Sequence, residues 1–224
     1  MTGMDLGVTI FLTDLSIGPI ELAQEVEARG FSSIWLPEHT HIPTSRRTPA
    51  PMGEPLDEEY RRCLDPFVTM GMMTAVTERV RLGTGISLLA ERDPIVTAKE
   101  VATLDHVSAG RISLGIGYGW NIEELENHGG SKKTRRAVVR ERILAMQELW
   151  GEEAAAFHGE HVQMAESWAW PKPTQQVQGR TGVPVLVGGA PGPILFEHIA
   201  EFADGWIPIG GAGGAAAMAD LHEA

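Results

Sequence analysis

Residues 80–121, VRLGTGISLLAERDPIVTAKEVATLDHVSAGRISLGIGYGWN, decide the fold. Two apolar runs without polar alternation, VRLGTGISLL and RISLGIGYG, flank a segment with helical spacing. Such runs are strands buried on both faces. Between them Asp93 is placed to cap a helix and Pro94 suits its first turn. Ile95, Ala98, Val101 and Ala102 keep one stripe, and Gly110 is a left-handed stop. Parallel strands joined by a helix cross over right-handed, so the glycines that end both strands meet at one rim. Small residues there let a flat ligand approach the backbone, and chemistry is expected at that rim.

The same unit repeats on either side. Leu6 to Leu12 reads as a first strand, followed by a helix opened by Gly18-Pro19, with Ile20, Ala23 and Val26 on one face. Ser32 to Leu36 is a second strand, and the aperiodic stretch His39 to Leu64 is long enough to be a lid or binding loop. Asp65-Pro66 starts the next helix. Beyond residue 121, NIEELENHGGSKKT reads as a polar surface excursion, and Val139, Ile143, Met146 and Trp150 then form a helical stripe. FHGEHVQM and SWAWPKP are expected to pair as an outer hairpin on which Trp168 and Trp170 pack, with an interface as their alternative role. Val183 to Gly189 and Trp206 to Gly210 are the fifth and sixth core strands, with a helix carrying Leu195, Ile199 and Phe202 between them. Residues 211–224 read as a loop and the beginning of a helix.

Six strands alternating with helices fit either an open doubly wound sheet or a (β/α)8 barrel. A dinucleotide fold places G-x-G-x-x-G after its first strand, whereas TDLSIGP stands there, and Gly115, Gly117 and Gly119 follow the fourth. The barrel is therefore preferred. It needs eight strands, and six are legible.

Composition narrows the function classes. With 18 Lys+Arg against 30 Asp+Glu, the net charge of -12 is wrong for a nucleic-acid binder. No apolar run is long enough to span a membrane and no signal peptide is visible, so a cytoplasmic enzyme is expected. Cys63 is the only cysteine, which excludes an intrachain disulfide. His39, His41, Glu38 and His128 lack the spacing of a metal site, and no G-x-S-x-G elbow supports a serine hydrolase. His39, just past the carboxyl end of the second strand, is the residue placed for proton transfer; His41 is a weaker second. Gly188-Gly189-Ala190, before a helix, is a turn that can also receive phosphate. Lys132, Lys133, Arg135 and Arg136 form the densest basic cluster, either a solvated surface or a place for an anionic tail.

These residues together resemble the luciferase-like monooxygenase superfamily, in its deazaflavin (coenzyme F420)-dependent oxidoreductase branch of actinobacteria. The resemblance lies in GFSSIWLPEHTHIPTSRRTP, TERVRLGTGISLLAERDPIVTAKEVATLDHVSAGRISLGIGYGWN and VPVLVGGAPGPILFEHIAEFADGWIPIG. It implies a (β/α)8 TIM barrel over residues 1–224 that holds a deazaflavin, or alternatively FMN, at its carboxyl rim. It further implies a non-proline cis peptide at Gly85-Ile86 behind the cofactor ring. Glu38 and His39 would lie near that ring, Gly117, Tyr118 and Gly119 beside it, and Gly188, Gly189 and Ala190 at the phosphate. The basic cluster would face an oligoglutamate tail. Sugar-phosphate dehydrogenases of this branch carry an acid where this chain has Trp120, so a bulkier, more apolar substrate pocket with Trp120 and His41 is expected. The resemblance implies that the family continues through two more β/α units, so the barrel is expected to be truncated after its sixth strand, either as a fragment or with a homodimer or partner chain over the open edge. The expected activity is hydride transfer to or from a small organic substrate; a reduced-FMN monooxygenase and a non-catalytic subunit are the alternatives.

Overall fold

The computed structural model describes residues 5–209. Its main sheet has six parallel strands, β1 (Gly7–Thr9), β2 (Ser33–Leu36), β3 (Arg81–Thr84), β4 (Ile112–Ile116), β9 (Val185–Gly189) and β10 (Gly205–Pro208), in that spatial order. Two antiparallel hairpins stand apart from it: β5 (Ala154–His158) with β6 (Gln163–Trp168), and the short β7 (Gln176–Val177) with β8 (Arg180–Thr181). This is the sheet order of a (β/α)8 barrel wall, with β1 and β10 at the two edges among the described residues.

The helices follow from local chemistry. Proline occupies the first turn of α1 (Pro19–Ala28), α2 (Pro66–Thr74), α3 (Pro94–Val107) and α6 (Pro193–Phe202), where no backbone donor is lost. Asp65 accepts from the Val68 N–H and Asp93 from the Val96 N–H, both at 2.9 Å, capping α2 and α3 as the sequence predicts. Gly110 takes φ +82° after α3. The longest helix, α5 (Arg135–Gly151), buries Val139, Ile143, Met146 and Trp150 almost completely, and the Trp150 indole donates to the Ala98 carbonyl at 3.0 Å. The helices pack in chain order, α1 on α2, α2 on α3, α3 on α5 and α5 on α6.

Four expectations need correction. The first strand is shorter than Leu6 to Leu12 because its second half leaves the sheet: Leu12 accepts from the Leu64 N–H and Thr13 bridges Cys63. Ile20 and Ile95 face outward, since the buried stripes of α1 and α3 run through Leu22, Ala23 and Val26 and through Ala98, Val101 and Ala102. Residues 122–127 form a helix, α4 (Ile122–Asn127), whose Glu124 is fully buried. Trp168 and Trp170 do not pack inward; they are 81% and 61% exposed beside a groove of about 640 Å³ between α2, α3 and the outer hairpin. The expected C-terminal loop and helix start fall outside the described residues.

Asp105 on α3 fastens the segment between the hairpins. Its fully buried carboxyl accepts from the Thr174 N–H at 2.7 Å, the Thr174 hydroxyl at 3.0 Å and the Gln175 amide at 2.6 Å. Asp105→Ala strands these donors and is expected to lower the unfolding free energy by about 2 kcal/mol. A denaturation midpoint that falls at constant slope is the expected reading; an unchanged midpoint contradicts it.

Candidate active site

At the carboxyl rim, the end of β2 is fixed to the segment after β3 by one buried side chain. Glu38, 3% exposed, accepts from the Ser87 hydroxyl and the Leu88 N–H, each at 2.7 Å, through one oxygen. Its other oxygen accepts from Arg92 Nε at 2.5 Å. Both oxygens are thereby committed to protein donors. Between these anchors the Gly85–Ile86 peptide bond is cis. The Ile86 side chain drops into space left by two glycines: a Cβ on Gly117 would lie 1.8 Å from Ile86 Cδ1, and one on Gly188 would lie 2.7 Å from Cγ2. Gly117 therefore stands behind the wall rather than on it; its missing side chain makes room for Ile86, not for a ligand.

Above this floor lies a cavity of about 400 Å³, within the range of small-molecule sites. Gly85, Ile86 and Leu88 border it from the segment after β3, Tyr118, Gly119 and Trp120 from the segment after β4, and Gly188, Gly189 and Ala190 from the carboxyl end of β9. Pro37, Glu38 and His39 close the β2 side, and the loop after His39 contributes Pro51, Met52 and Tyr60. Of the basic cluster, Arg135 reaches the cavity, with Nη1 buried and without a hydrogen-bond partner among the described residues. Arg136 lies over the Tyr118 ring with its guanidinium 5.4 Å from the centroid, and Lys132 and Lys133 are exposed.

His39 is held from both sides. Its Nδ1 is 2.7 Å from Glu124 Oε2, and its Nε2 is 3.1 Å from Trp120 Nε1. Indole N–H can only donate, so Nε2 accepts and Nδ1 carries the proton toward Glu124. The imidazole side chain is 5% exposed and that of Glu124 is 0%. Tyr60 and Trp120 crowd the ring at centroid distances of 5.4 and 5.6 Å. Glu123, the residue before Glu124 in α4, accepts from the Arg47 and Thr48 N–H groups and from the Thr48 hydroxyl at 2.7 Å. The Thr48 hydroxyl bond chiefly holds the Glu123 carboxyl down at about 2. One short helix thus positions both the imidazole and the loop over it. A sequence signal for α4 existed, Asn121 ahead of two acids in a first turn, but the acids read as solvent-facing.

His41 does not reach the cavity. It bonds Thr40 Oγ1 and Asn127 on the outer side of α4, where Thr40 Oγ1 also meets His128 Nε2 at 2.8 Å. Glu91 sits behind Gly119, its side chain 1% exposed and both oxygens without a hydrogen-bond partner among the described residues. Burial first, then the neighbouring Glu124 and Glu38, push its carboxyl up to about 8.

A parallel β/α sheet with a glycine-floored cavity at its carboxyl rim is the architecture of barrel enzymes. The chain belongs to the luciferase-like monooxygenase family, whose model matches residues 19–224. It is 46% identical over 207 residues to an uncharacterized protein of Mycobacterium tuberculosis, an alignment covering 91% of this chain and 72% of that one. It is 28% identical to an F420-dependent glucose-6-phosphate dehydrogenase of Kineococcus radiotolerans, over 86% of this chain and 52% of that one. Among solved structures, an F420-dependent secondary alcohol dehydrogenase in complex with an F420–acetone adduct superimposes with a TM-score of 0.76 at 20% identity, covering 98% of this chain and 63% of that one. The FMN-bound oxygenating constituent of 3,6-diketocamphane monooxygenase from Pseudomonas putida gives 0.61 at 18% identity, over 83% of this chain and 51% of that one. The chain thus spans little more than half the length of several relatives. Among the described residues no helix is long and apolar enough to cross a membrane.

Glu91 makes stability depend on pH in a defined direction. Its carboxyl titrates near 4.5 when unfolded and near 8 when folded. Between those values the folded chain binds a proton the unfolded chain lacks, so the contribution is complete below about 4.5 and is lost as pH rises through 8. The wild type is expected to lose stability relative to Glu91→Gln across that window, with a limiting slope of about 1.4 kcal/mol per pH unit. Denaturant melts of both proteins at acidic and mildly alkaline pH measure it, and a pH-independent difference contradicts the assignment.

Proposed function

We propose that this chain transfers a hydride between a deazaflavin, coenzyme F420, and a small organic substrate, with His39 moving the accompanying proton. The observation that carries this reading is the imidazole at the cavity wall, with Nδ1 on a buried carboxyl and Nε2 facing the Trp120 indole N–H. The F420-dependent dehydrogenase among the relatives supports the cofactor assignment.

The residues present fit a deazaflavin. Gly85 and Ile86 offer a backbone floor for a flat ring, and Arg135 offers an anionic group a cavity-lining guanidinium whose Nη1 has no partner among the described residues. Gly188, Gly189 and Ala190 lead into α6, whose N-terminus has no side-chain cap, so they would hold the phosphate. When bound, the deazaflavin supplies a two-electron hydride acceptor or donor. In the oxidative direction His39 Nε2 takes the substrate hydroxyl proton as the C–H bond breaks, and Glu124 stabilises the imidazolium across Nδ1. Trp120 must first release Nε2, because its indole N–H occupies the lone pair that the proton needs. With Met52, Pro51 and Tyr60 also on the wall, the pocket favours an apolar substrate over a sugar phosphate.

The second reading, a reduced-FMN monooxygenase, draws on the FMN-bound fold neighbour. Fluorescence titrations with each cofactor separate the two: the deazaflavin is expected to bind, and tight FMN binding with none for the deazaflavin overturns the first. No binding of either supports a non-catalytic subunit. Arg135→Gln is expected to weaken deazaflavin binding about tenfold. In assays over a panel of small alcohols and ketones, His39→Ala is expected to keep cofactor binding and lose about a hundredfold or more in turnover. Full turnover in that variant removes His39 from the mechanism.

A further inference from the structure

The back of His39 connects to a second cavity. We propose that Glu124, Thr40 and His128 form a proton path from His39 Nδ1 to solvent on the far side of α4. This rests on His39 as the acid–base group of the proposed function and gives that group a route for proton exchange when the front cavity is filled.

The path is a continuous set of donors and acceptors. His39 Nδ1–H donates to Glu124 Oε2 at 2.7 Å. The other oxygen of Glu124 accepts from the Thr40 N–H at 3.0 Å and lies 3.5 Å from Thr40 Oγ1. Thr40 Oγ1 is 2.8 Å from His128 Nε2. The direction of each bond follows from its outermost member. Asn127 Nδ2 donates to His41 Nε2 at 2.8 Å, which leaves His41 Nδ1–H to donate to Thr40 Oγ1 at 2.9 Å. With that lone pair occupied, the Thr40 hydroxyl is free to point its hydrogen at His128 Nε2 or at Glu124.

Two features set this path apart from an ordinary hydrogen-bond cluster. On the cavity side His39 is closed by Trp120 and Tyr60, with 5% of its side chain exposed, whereas the His128 side chain is 29% exposed. His128 also borders a separate cavity of about 230 Å³, whose wall includes Ser131, Thr134, Arg142 and His161. The groups around His128 keep it a neutral acceptor: burial first, then His41 and Arg142, lower its pKa, against the opposing pull of Glu124 and Glu38. Glu91, 3.7 Å from His128 Nε2, is itself held protonated near neutrality by burial.

The transfer balances. As His39 Nε2 gains a proton from the substrate, its Nδ1–H bond breaks and an O–H bond forms on Glu124. The carboxyl turns about its Cγ–Cδ bond and presents that proton to Thr40 Oγ1, closing the longest gap in the chain. Thr40 passes its own hydroxyl proton to His128 Nε2, and His128 releases its Nδ1 proton to water. One proton has moved from the cavity to solvent, and each group ends neutral or charged as it began, with its tautomer reset by ring and hydroxyl rotation.

The test reads proton exchange, not turnover, so it stands apart from the catalytic reading. In the full chain with 15N-labelled histidine, NMR follows exchange of the His39 Nδ1 proton with solvent. Thr40→Val and His128→Phe are each expected to slow that exchange about tenfold or more while the His39 ring nitrogen shifts stay in place. Thr40→Ser, which keeps the hydroxyl, is expected to exchange as the wild type does. An unchanged rate in either the valine or the phenylalanine variant overturns the path, as does a serine variant as slow as the valine one. Thr40→Ala and His128→Gln provide the same two removals if a first-choice variant does not fold. A turnover result on His39→Ala that sinks the proposed function leaves this measurement interpretable.

Discussion

Glu38 is a buried carboxyl with three donors, and the geometry of the rim depends on how completely it is satisfied. A charge taken out of water is tolerable only when partners replace the lost hydration. Here the partners come from the segment after β3, so satisfying Glu38 also fixes where that segment lies relative to the end of β2. Arg92 extends the arrangement: its remaining nitrogens reach Asp65 at 2.6 Å and Glu100 at 3.2 Å, and its guanidinium sits 4.3 Å from the Phe67 ring centroid. The N-terminus of α2, the body of α3 and the cavity floor are thereby held to one group. His39, the next residue along from Glu38, inherits its place from that anchoring.

The strands and most helices were legible because their signals are local. Uninterrupted apolar runs such as Ile112–Ile116 have nowhere to go but a doubly covered sheet, and Asp93-Pro94 marks a helix start wherever it lands. The candidate site was legible in outline for a different reason: glycines at strand ends and a histidine just past one of them are positional signals. What those glycines accommodate was not legible. Gly117 and Gly188 are small because Ile86 fills the space above them, a contact between residues about 30 and 100 positions apart in the chain, set by the fold rather than by spacing.

The misread segment was NIEELENHGG. It reads as a polar surface excursion because charged residues are seldom buried, yet Glu124 is one of the most buried side chains in the molecule. Burial of a carboxyl is decided by which donors surround it, here His39 and the Thr40 N–H, more than 80 residues away in the chain. Trp120 shows the same limit. As a residue type it announced bulk; only the structure shows that its indole N–H occupies the imidazole nitrogen facing the cavity. Trp168 and Trp170 differ in the opposite direction: they read as packing aromatics on the outer hairpin, and both lie largely exposed.

Glu123 and Glu124 are consecutive residues on a helix of six, and they serve different clients: one the loop at Arg47 and Thr48, the other the imidazole. So short a helix has no independent way to adjust one carboxyl while the other stays in place. Substitutions in the loop and substitutions around His39 are therefore epistatic despite being far apart in the chain. A lineage that altered the loop would have to readjust the surroundings of His39 at the same time, and the two segments would evolve together.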